Sequence, residues 1–571
     1  MKTSSKIDAE SAAARPGDSS VDVVGRHKRL VARTALIAGF TALSRVLGFG
    51  REALTAALFG DKSAIYDAFV TAWRIPNLFR RLLGEGAVST SLQSALTEAD
   101  SDRGEDDGRA LLWETLRLAT WILLGLTAVL MGGVALMGDA MPLTGWRWLG
   151  EDAHAMRELT LQSSPYVIAI CLAGLISGAL AVRGKFAATS AGPGVMNVVA
   201  IVTLVAIGLR FGWQGLAPED GEAGRVRHLE MARWFSWGLL ASGFVQLAML
   251  VPEMRATGLL GRTGRLAEHR RRAWGVLRTA VPLALGAAVY QINVLVDSFM
   301  ANNLLPTGGA STYYYANRIQ QLPLALVATA AASAVFPAMK ALAHKREFGE
   351  LRKLHEQTHL AVMFVALPAS VGLLVMATPV TAVLLQRGEF GEQGVVRTAD
   401  AIRMLCIALV PGGAVGLLSR AYYALGDFKT PVRMSLISLV LNVALNWLFV
   451  VRFELDTGGL ALATAIVSWV SVALLVGGLA RKIRANAGND VPGLPGFASR
   501  MAKMFGASLA CGAAAWGAHL ALGGETRSWL ALALAIVCGI VTYIVAVQLL
   551  GLPEWSAVRR KLAARLAARS R

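Results

Sequence analysis

The sequence predicts an all-α polytopic membrane protein of about 14 transmembrane helices with a two-lobe design, and three observations predict it. The chain of 571 residues is 55% hydrophobic and only 16% charged, where a soluble protein carries roughly 25% charged residues. Apolar runs recur at a length of roughly 20 residues, enough to cross a bilayer as a helix. The runs are continuous and do not alternate between apolar and polar, so spanning strands are not expected. Finally, a motif near the end of the fourth run returns near the end of the tenth.

The spans read as 31–58, 64–97, 110–137, 158–183, 190–211, 230–251, 276–303, 311–341, 357–385, 395–424, 430–452, 457–481, 498–522 and 527–551. Residues 1–30 are polar, and too long and charged for the basic region of a cleaved signal peptide; they read as a disordered cytoplasmic tail. The second span is amphipathic, interrupted by Asp67, Arg74, Asn77, Arg80, Arg81 and Glu85.

A net charge of +18 would suggest nucleic acid in a soluble protein. Here it follows the excess of Lys and Arg in cytoplasmic loops, and no zinc spacing, RNA motif or Walker loop accompanies it, so no nucleic-acid partner is expected. Basic residues gather after spans six (Arg255, Arg262, Arg265, Arg270), eight (Lys340, Lys345, Arg346), twelve (Arg481, Lys482, Arg484) and fourteen (Arg559, Arg560, Lys561). These loops share one side, which places both termini in the cytoplasm. The loop TEADSDRGEDDGR after span two breaks the trend, but acidic residues contribute little to topology. The four cysteines, Cys171, Cys406, Cys511 and Cys538, lie far apart in apolar segments and read as small buried residues.

The repeat pairs Gly174-Leu-Ile-Ser-Gly-Ala179, Gly184, Phe186 and Thr189 with Gly416-Leu-Leu-Ser-Arg-Ala421, Gly426, Phe428 and Thr430. Duplicated helical bundles with the site between the halves are a signature of secondary transporters. The competing reading is chance similarity among common small residues.

Charges inside the first two spans are costly, at about 2.5–3.5 kcal/mol each on insertion scales, and such residues usually face a cavity. In SRVLGFGREALTAALFG, Ser44 shares a helix face with Arg51, and Arg45 with Glu52. Arg45 and Arg51 lie about 120° apart on an ideal helix, and Gly48 and Gly50 are expected to bend the helix so that both reach one central space. Arg74, Arg80 and Arg81 surround Pro76 in span two. Arg81 has Glu85 at i,i+4 as a local partner, whereas Arg80 has none, which favours Arg80 for function. Arg318, beside Tyr313, Tyr314 and Tyr315, is placed to reach the same space from the second lobe. Arginine forks match phosphate oxygens and stay charged. The competing readings are snorkelling to the surface for Arg74, Arg80 and Arg81, and an interfacial Tyr/Arg belt for Arg318.

SRVLGFGREALTAALFG, DAF and RIPNLFRRLLGEGAVS resemble the signature of the MurJ (MviN) lipid II flippase family, and YYYANRIQQLP, LLQRGEF and RAYYALGDFKTPV resemble its later motifs. The resemblance runs from about residue 31 to 550. It implies the MOP transporter fold: two pseudo-symmetric six-helix lobes (31–251 and 276–481) joined by a basic cytoplasmic linker (252–275), then two C-terminal helices (482–551) forming a lipid-tail groove and a basic cytoplasmic tail (552–571). It implies a transporter of the bacterial inner membrane that is not an enzyme and that moves undecaprenyl-diphosphate-linked peptidoglycan precursor to the periplasmic leaflet in cell-wall biogenesis. The family's essential arginines fall on Arg45, Arg51, Arg80 and Arg318, and its aspartate between spans one and two on Asp67; Ser44 joins them as a substrate-binding candidate. The chain departs at Asn317 and Gln321, where some members carry acids, leaving a more positive cavity. Small residues in spans thirteen and fourteen suit a tail groove and suit ordinary helix packing equally.

Two other functions fit parts of the sequence. A cation-coupled exporter of the same superfamily would favour an acidic cavity. A membrane-bound glycan polymerase would need a catalytic carboxylate pair, and no acid of the expected outward loops forms one. No ATP site appears and no cofactor is expected. Asp297 in span seven, Asn442 and Asn446 in span eleven and Thr464 in span twelve offer hard oxygen ligands. Some members of the resembled family bind sodium with such groups from these spans, so the resemblance implies Na+ as a coupling ion. Such members carry an acid at the second span-eleven position, Asn446 here, so weaker binding is expected. The alternative is an interhelical hydrogen-bond cluster around Asp297.

Overall fold

The computed structural model describes residues 20–84, 87–136, 152–214, 221–261, 266–487, 493–524, 527–556 and 558–560. Every expected span coincides with helix, and no strand occurs among the described residues. Nine helices among them are long and apolar enough to cross a membrane by length and composition. Span one is an uninterrupted helix, Ser20–Phe59. Residues 20–30, expected in a tail without structure, are therefore its first turns; residues 1–19 lie outside the described residues. The bend expected at Gly48 and Gly50 does not interrupt this helix. A Cβ at Gly48 would meet Asn197 Nδ2 at 3.5 Å, an ordinary van der Waals contact.

Span two is interrupted. Ala64–Phe79 contains Pro76, a five-residue π turn covers Arg80–Gly84, and helix resumes over Ala87–Arg103. Proline cannot donate to the helix ladder, and the wider turn follows directly, with the Arg80 amide shared between the Pro76 and Asn77 carbonyls. Such π turns appear frequently at functional sites.

The internal repeat is present in the backbone. Span four ends in Tyr166–Val182 and span ten in Ala424. After span four, Gly184 (φ +72°) donates to Ala181 O and Lys185 to Leu180 O. After span ten, Gly426 (φ +75°) donates to Tyr423 O and Asp427 to Tyr422 O. Both are Schellman caps, in which a left-handed residue satisfies the last helical carbonyls. Left-handed residues also follow spans two and eight (Gly104, Arg346) and spans five and eleven (Gly212, Glu454), and all three pairs keep the same separation of 242 positions (104 to 346, 184 to 426, 212 to 454). Chance similarity among small residues does not reproduce a constant register of turns, so the two lobes are structural repeats.

The acidic loop that breaks the charge trend is explained by its neighbours. Asp100 and Glu105 pair with Arg183 at 3.0 and 2.6 Å, and Asp107 pairs with His269 and Arg272 at 2.8 and 2.6 Å. The acids neutralise basic residues of adjoining loops at the same end of the bundle, here called the basic end.

At the opposite end the lobes meet backbone to backbone. A Cβ at Gly308 would lie 1.6 Å from Asp61 O, one at Gly388 2.2 Å from Ala57 O, and one at Gly60 2.6 Å from Glu389 O. Glu389 N donates to Ala57 O at 2.9 Å. Aromatic rings line the seam: Phe59 stacks on Tyr66 at 4.7 Å within the first lobe, and Tyr66 meets Tyr315 across it, with Tyr315 edge-on to Phe390. The core cluster behind it contains residues of both lobes. Spans thirteen (Phe497–Ala521) and fourteen (Trp529–Leu549) pack on span nine, where Tyr543 donates to Phe364 O at 2.7 Å.

Gly308→Ala is predicted to prevent this end from closing, because the new methyl group meets a backbone carbonyl and not a movable side chain. Spin labels placed across the seam at Lys62 and Thr307 should report a longer distance than in the unsubstituted protein. An unchanged distance would show that the seam has slack.

Candidate functional site: an arginine-lined cavity

A cavity of about 600 Å³ lies within the first lobe and reaches span eight of the second. It extends toward Ala181, Ala188 and Leu250 at the basic end and stops at Arg51, Glu52 and Trp73 below the sealed end. The charged residues lining it are Arg45, Arg51, Arg80, Arg318 and a single acid, Glu52. Four guanidiniums against one carboxylate leave three positive charges, a field suited to an anion.

All four arginines named from the sequence therefore reach one space, together with Ser44, but their circumstances differ. Arg51 is buried, pairs directly with Glu52, and donates to Asn197 Oδ1 at 3.1 Å. Arg318 Nε lies 3.6 Å from the same Glu52 carboxylate. Arg80 has a local partner after all: its Nε donates to Asn77 Oδ1 at 3.0 Å, three residues back. The Arg81–Glu85 pairing lies outside the described residues, since Glu85 is not among them. Arg45 is half-buried and has no hydrogen-bond or ion-pair partner among the described residues. Ser44 holds Asn197 mainly through its backbone carbonyl, 2.8 Å from Nδ2, with its hydroxyl at 3.4 Å.

Asp67 lies elsewhere. It is 5% exposed and does not line the cavity. Its two oxygens accept from the backbone amides of Gly308 (2.6 Å) and Ser311 (2.7 Å), the first turn of span eight. Asp61 likewise accepts from Gly391 N at 2.8 Å, at the start of span ten. First-lobe carboxylates thus cap two second-lobe helices whose own cap residues are glycines. Capping and the helix dipole both favour an acid there. A sequence motif marks Asp67 as important without saying that it serves closure and makes no contact with the cavity.

Sequence reasoning missed Asn197, a lone amide in the apolar run PGVMNVVAIV and hence a signal that was available. It also underrated Glu52, placed on the Arg45 face although its partners are Arg51, Arg318 and Tyr314. These partners come from another lobe or from side-chain reach, which helix periodicity does not encode.

The second-lobe polar cluster assembles around one amide. Asn446 Nδ2 donates to Asp297 Oδ1 at 2.8 Å and to Asn442 Oδ1 at 3.0 Å, and Asn446 Oδ1 is buried without a hydrogen-bond partner. Thr464 bonds to Tyr313 OH at 3.3 Å and to Leu460 O at 3.1 Å. No group of three His, Cys, Asp or Glu side chains that could hold a metal occurs among the described residues. The donors are the hard oxygens an alkali cation takes, but the point on which Asp297 Oδ1 and Asn442 Oδ1 converge is held by Asn446 Nδ2, so a cation would fit only once that amide turns and moves aside.

Asp67→Ala is predicted to weaken the sealed end by about 1–2 kcal/mol, the worth of a well-placed helix cap. Asp67→Asn, which keeps an acceptor oxygen, should recover part of it. The spin-label pair across the seam reads both; equal distances for Asp67→Ala and wild type would exclude a capping role.

Comparison with known proteins finds relatives over most of the chain. A family model described as "Lipid II flippase MurJ" matches residues 55–537. A probable lipid II flippase MurJ of Vibrio cholerae is 31% identical over 480 residues, covering 79% of this chain and 83% of that protein. One of Bdellovibrio bacteriovorus is 28% identical over 547 residues, covering 94% and 97%. Among solved structures, a lipid II flippase MurJ in an inward closed conformation shares the fold with TM-score 0.69 at 20% identity, covering 90% of this chain and 98% of that one. An inward-facing multidrug resistance MATE transporter of the MOP superfamily shares it at TM-score 0.59 and 14% identity, covering 78% and 96%.

Proposed function

The chain belongs to the MurJ family of lipid II flippases, and from that premise we propose how its cavity does the work of moving the lipid-linked peptidoglycan precursor across the bacterial inner membrane. It is a multi-pass transporter of that membrane and not an enzyme; no covalent step is required. The observation that carries the reading is the clustering of Arg45, Arg51, Arg80 and Arg318 around one cavity with a single acid. A diphosphate entering hydrocarbon loses its hydration, and guanidinium forks replace it. The basic loops and both termini face the cytoplasm, so the cavity opens inward and the glycine seam closes the periplasmic side. The partly exposed Arg45 meets the diphosphate first. Arg51 and Arg318 are held by Glu52 and exchange that carboxylate for phosphate oxygens as the head group settles.

Release follows from the division of the site between lobes. Arg318 belongs to the second lobe and the other three arginines to the first. Opening the periplasmic seam withdraws span eight and leaves the diphosphate with fewer partners. The polyprenyl tail stays in lipid, along the apolar outer faces of spans thirteen and fourteen, where Phe505, Leu509 and Trp516 are exposed. A cationic cavity disfavours the drug-exporter alternative.

For the coupling ion we propose sodium, held by Asp297 Oδ1, Asn442 Oδ1 and, after its amide turns, Asn446 Oδ1, with the Thr464 hydroxyl alongside. A bound cation supplies the charge that would otherwise leave the buried Asp297 carboxylate uncompensated.

Depleting the protein should leave lipid II head groups on the cytoplasmic leaflet, and unchanged exposure outside would sink the flippase reading. Arg45→Ala, Arg51→Ala, Arg80→Ala and Arg318→Ala should each abolish rescue of depleted cells while still inserting in the membrane. Arg→Lys should rescue only in part, because an ammonium lacks the fork.

For the cation, the thermal midpoint of purified protein in sodium should exceed that in choline at equal ionic strength, and Asp297→Asn should remove the difference. No sodium-specific shift in wild type would leave the cluster as an interhelical hydrogen-bond network.

A further inference from the structure

Tyr314 stands where the charges of both lobes cross. Its ring is 8% exposed. Arg74 and Arg318 each place Cζ 5.1 Å from its centroid, within the range of a cation–π contact, which is strongest where water is absent. Its hydroxyl donates to Glu52 Oε1 at 3.0 Å, the carboxylate that pairs with Arg51. Arg74 Nε and Arg318 Nε are buried without hydrogen-bond partners. Arg74, Arg80, Arg81 and Arg318 line a small pocket against span seven.

We propose that Tyr314 is a positioning residue for the diphosphate: one second-lobe side chain orients Arg74 and Arg318 through its ring, fixes Glu52 through its hydroxyl, and so brings Arg74 into the anion site. This rests on the diphosphate reading above. Arg74 lines the small pocket beside the cavity and shares Arg80 and Arg318 with it, so its guanidinium adds to the three positive charges already in surplus there. The guanidiniums share no carboxylate strong enough to neutralise them all; a neutral aromatic face holds them in place without cancelling the field that the substrate needs. Because Tyr314 belongs to span eight and Glu52, Arg51 and Arg74 to the first lobe, separation of the lobes removes ring and hydroxyl together. The site then comes apart in one step, and release does not require each contact to break independently.

The test is a double-mutant cycle on purified protein titrated with farnesyl diphosphate, with thermal midpoints recorded for each variant. Tyr314→Leu should weaken binding about tenfold, while Tyr314→Phe, which keeps the ring, stays within about threefold of wild type. In an Arg74→Ala, Arg318→Ala background the Tyr314→Leu substitution should cost no more than the about threefold allowed for Tyr314→Phe, since only the hydroxyl's hold on Glu52 is left to lose. Unaltered binding by Tyr314→Leu, or a tenfold loss that persists in the arginine-free background, would overturn the proposal. Should Tyr314→Leu not fold, Tyr314→Met fills a similar volume without a ring face and replaces it in the cycle. Absence of farnesyl diphosphate binding by wild type would overturn the diphosphate reading and this one with it. Wild-type binding with an inert Tyr314 would overturn this one alone.

Discussion

One carboxylate, Glu52, makes the rest of the cavity tenable. Burying a guanidinium in hydrocarbon without compensation is expensive, and breaking a buried pair by removing one partner costs about 3–5 kcal/mol. Glu52 receives Arg51, lies near Arg318 and accepts from Tyr314, so a single negative charge supports two arginines from two lobes. It does not neutralise the cavity. A second acid would make the folded protein cheaper to insert and would make the site a poorer host for an anion.

The two ends of the bundle are built from different interactions. The sealed end relies on glycine-to-backbone contact, aromatic stacking and helix caps donated across the seam. These are short-ranged and vanish together once the lobes part. The basic end is tied by ion pairs such as Asp107 with His269 and Arg272. Such pairs near water are individually weak and tolerate rearrangement. The caps on spans eight and ten also tie closure to helix stability. Parting the lobes would take Asp61 and Asp67 away from the first-turn amides of both helices.

The spans were legible because hydrocarbon imposes a long apolar run on each of them, and the repeat because a Schellman turn leaves its glycine and flanking residues in the sequence. That Arg45, Arg51, Arg80 and Arg318 face a cavity was legible because a charge in such a run is costly and turns away from lipid. The role of Asp67 as an inter-lobe cap was not, since a cap donated from 241 positions away leaves no local pattern. Nor was the continuity of span one, whose helix runs through Gly48 and Gly50 without a break.

By itself, then, the sequence determined the class of fold, the positions of its long helices and their duplication, because these follow from periodicity, length and the energetics of the bilayer. Only the tertiary structure decided which arginines are paired, which one is available, that Asp67 closes a seam, and that Tyr314 gathers charges from both lobes. Those facts depend on distances between side chains far apart in the chain, and helix periodicity fixes the face of a residue but not what the neighbouring helix brings to it.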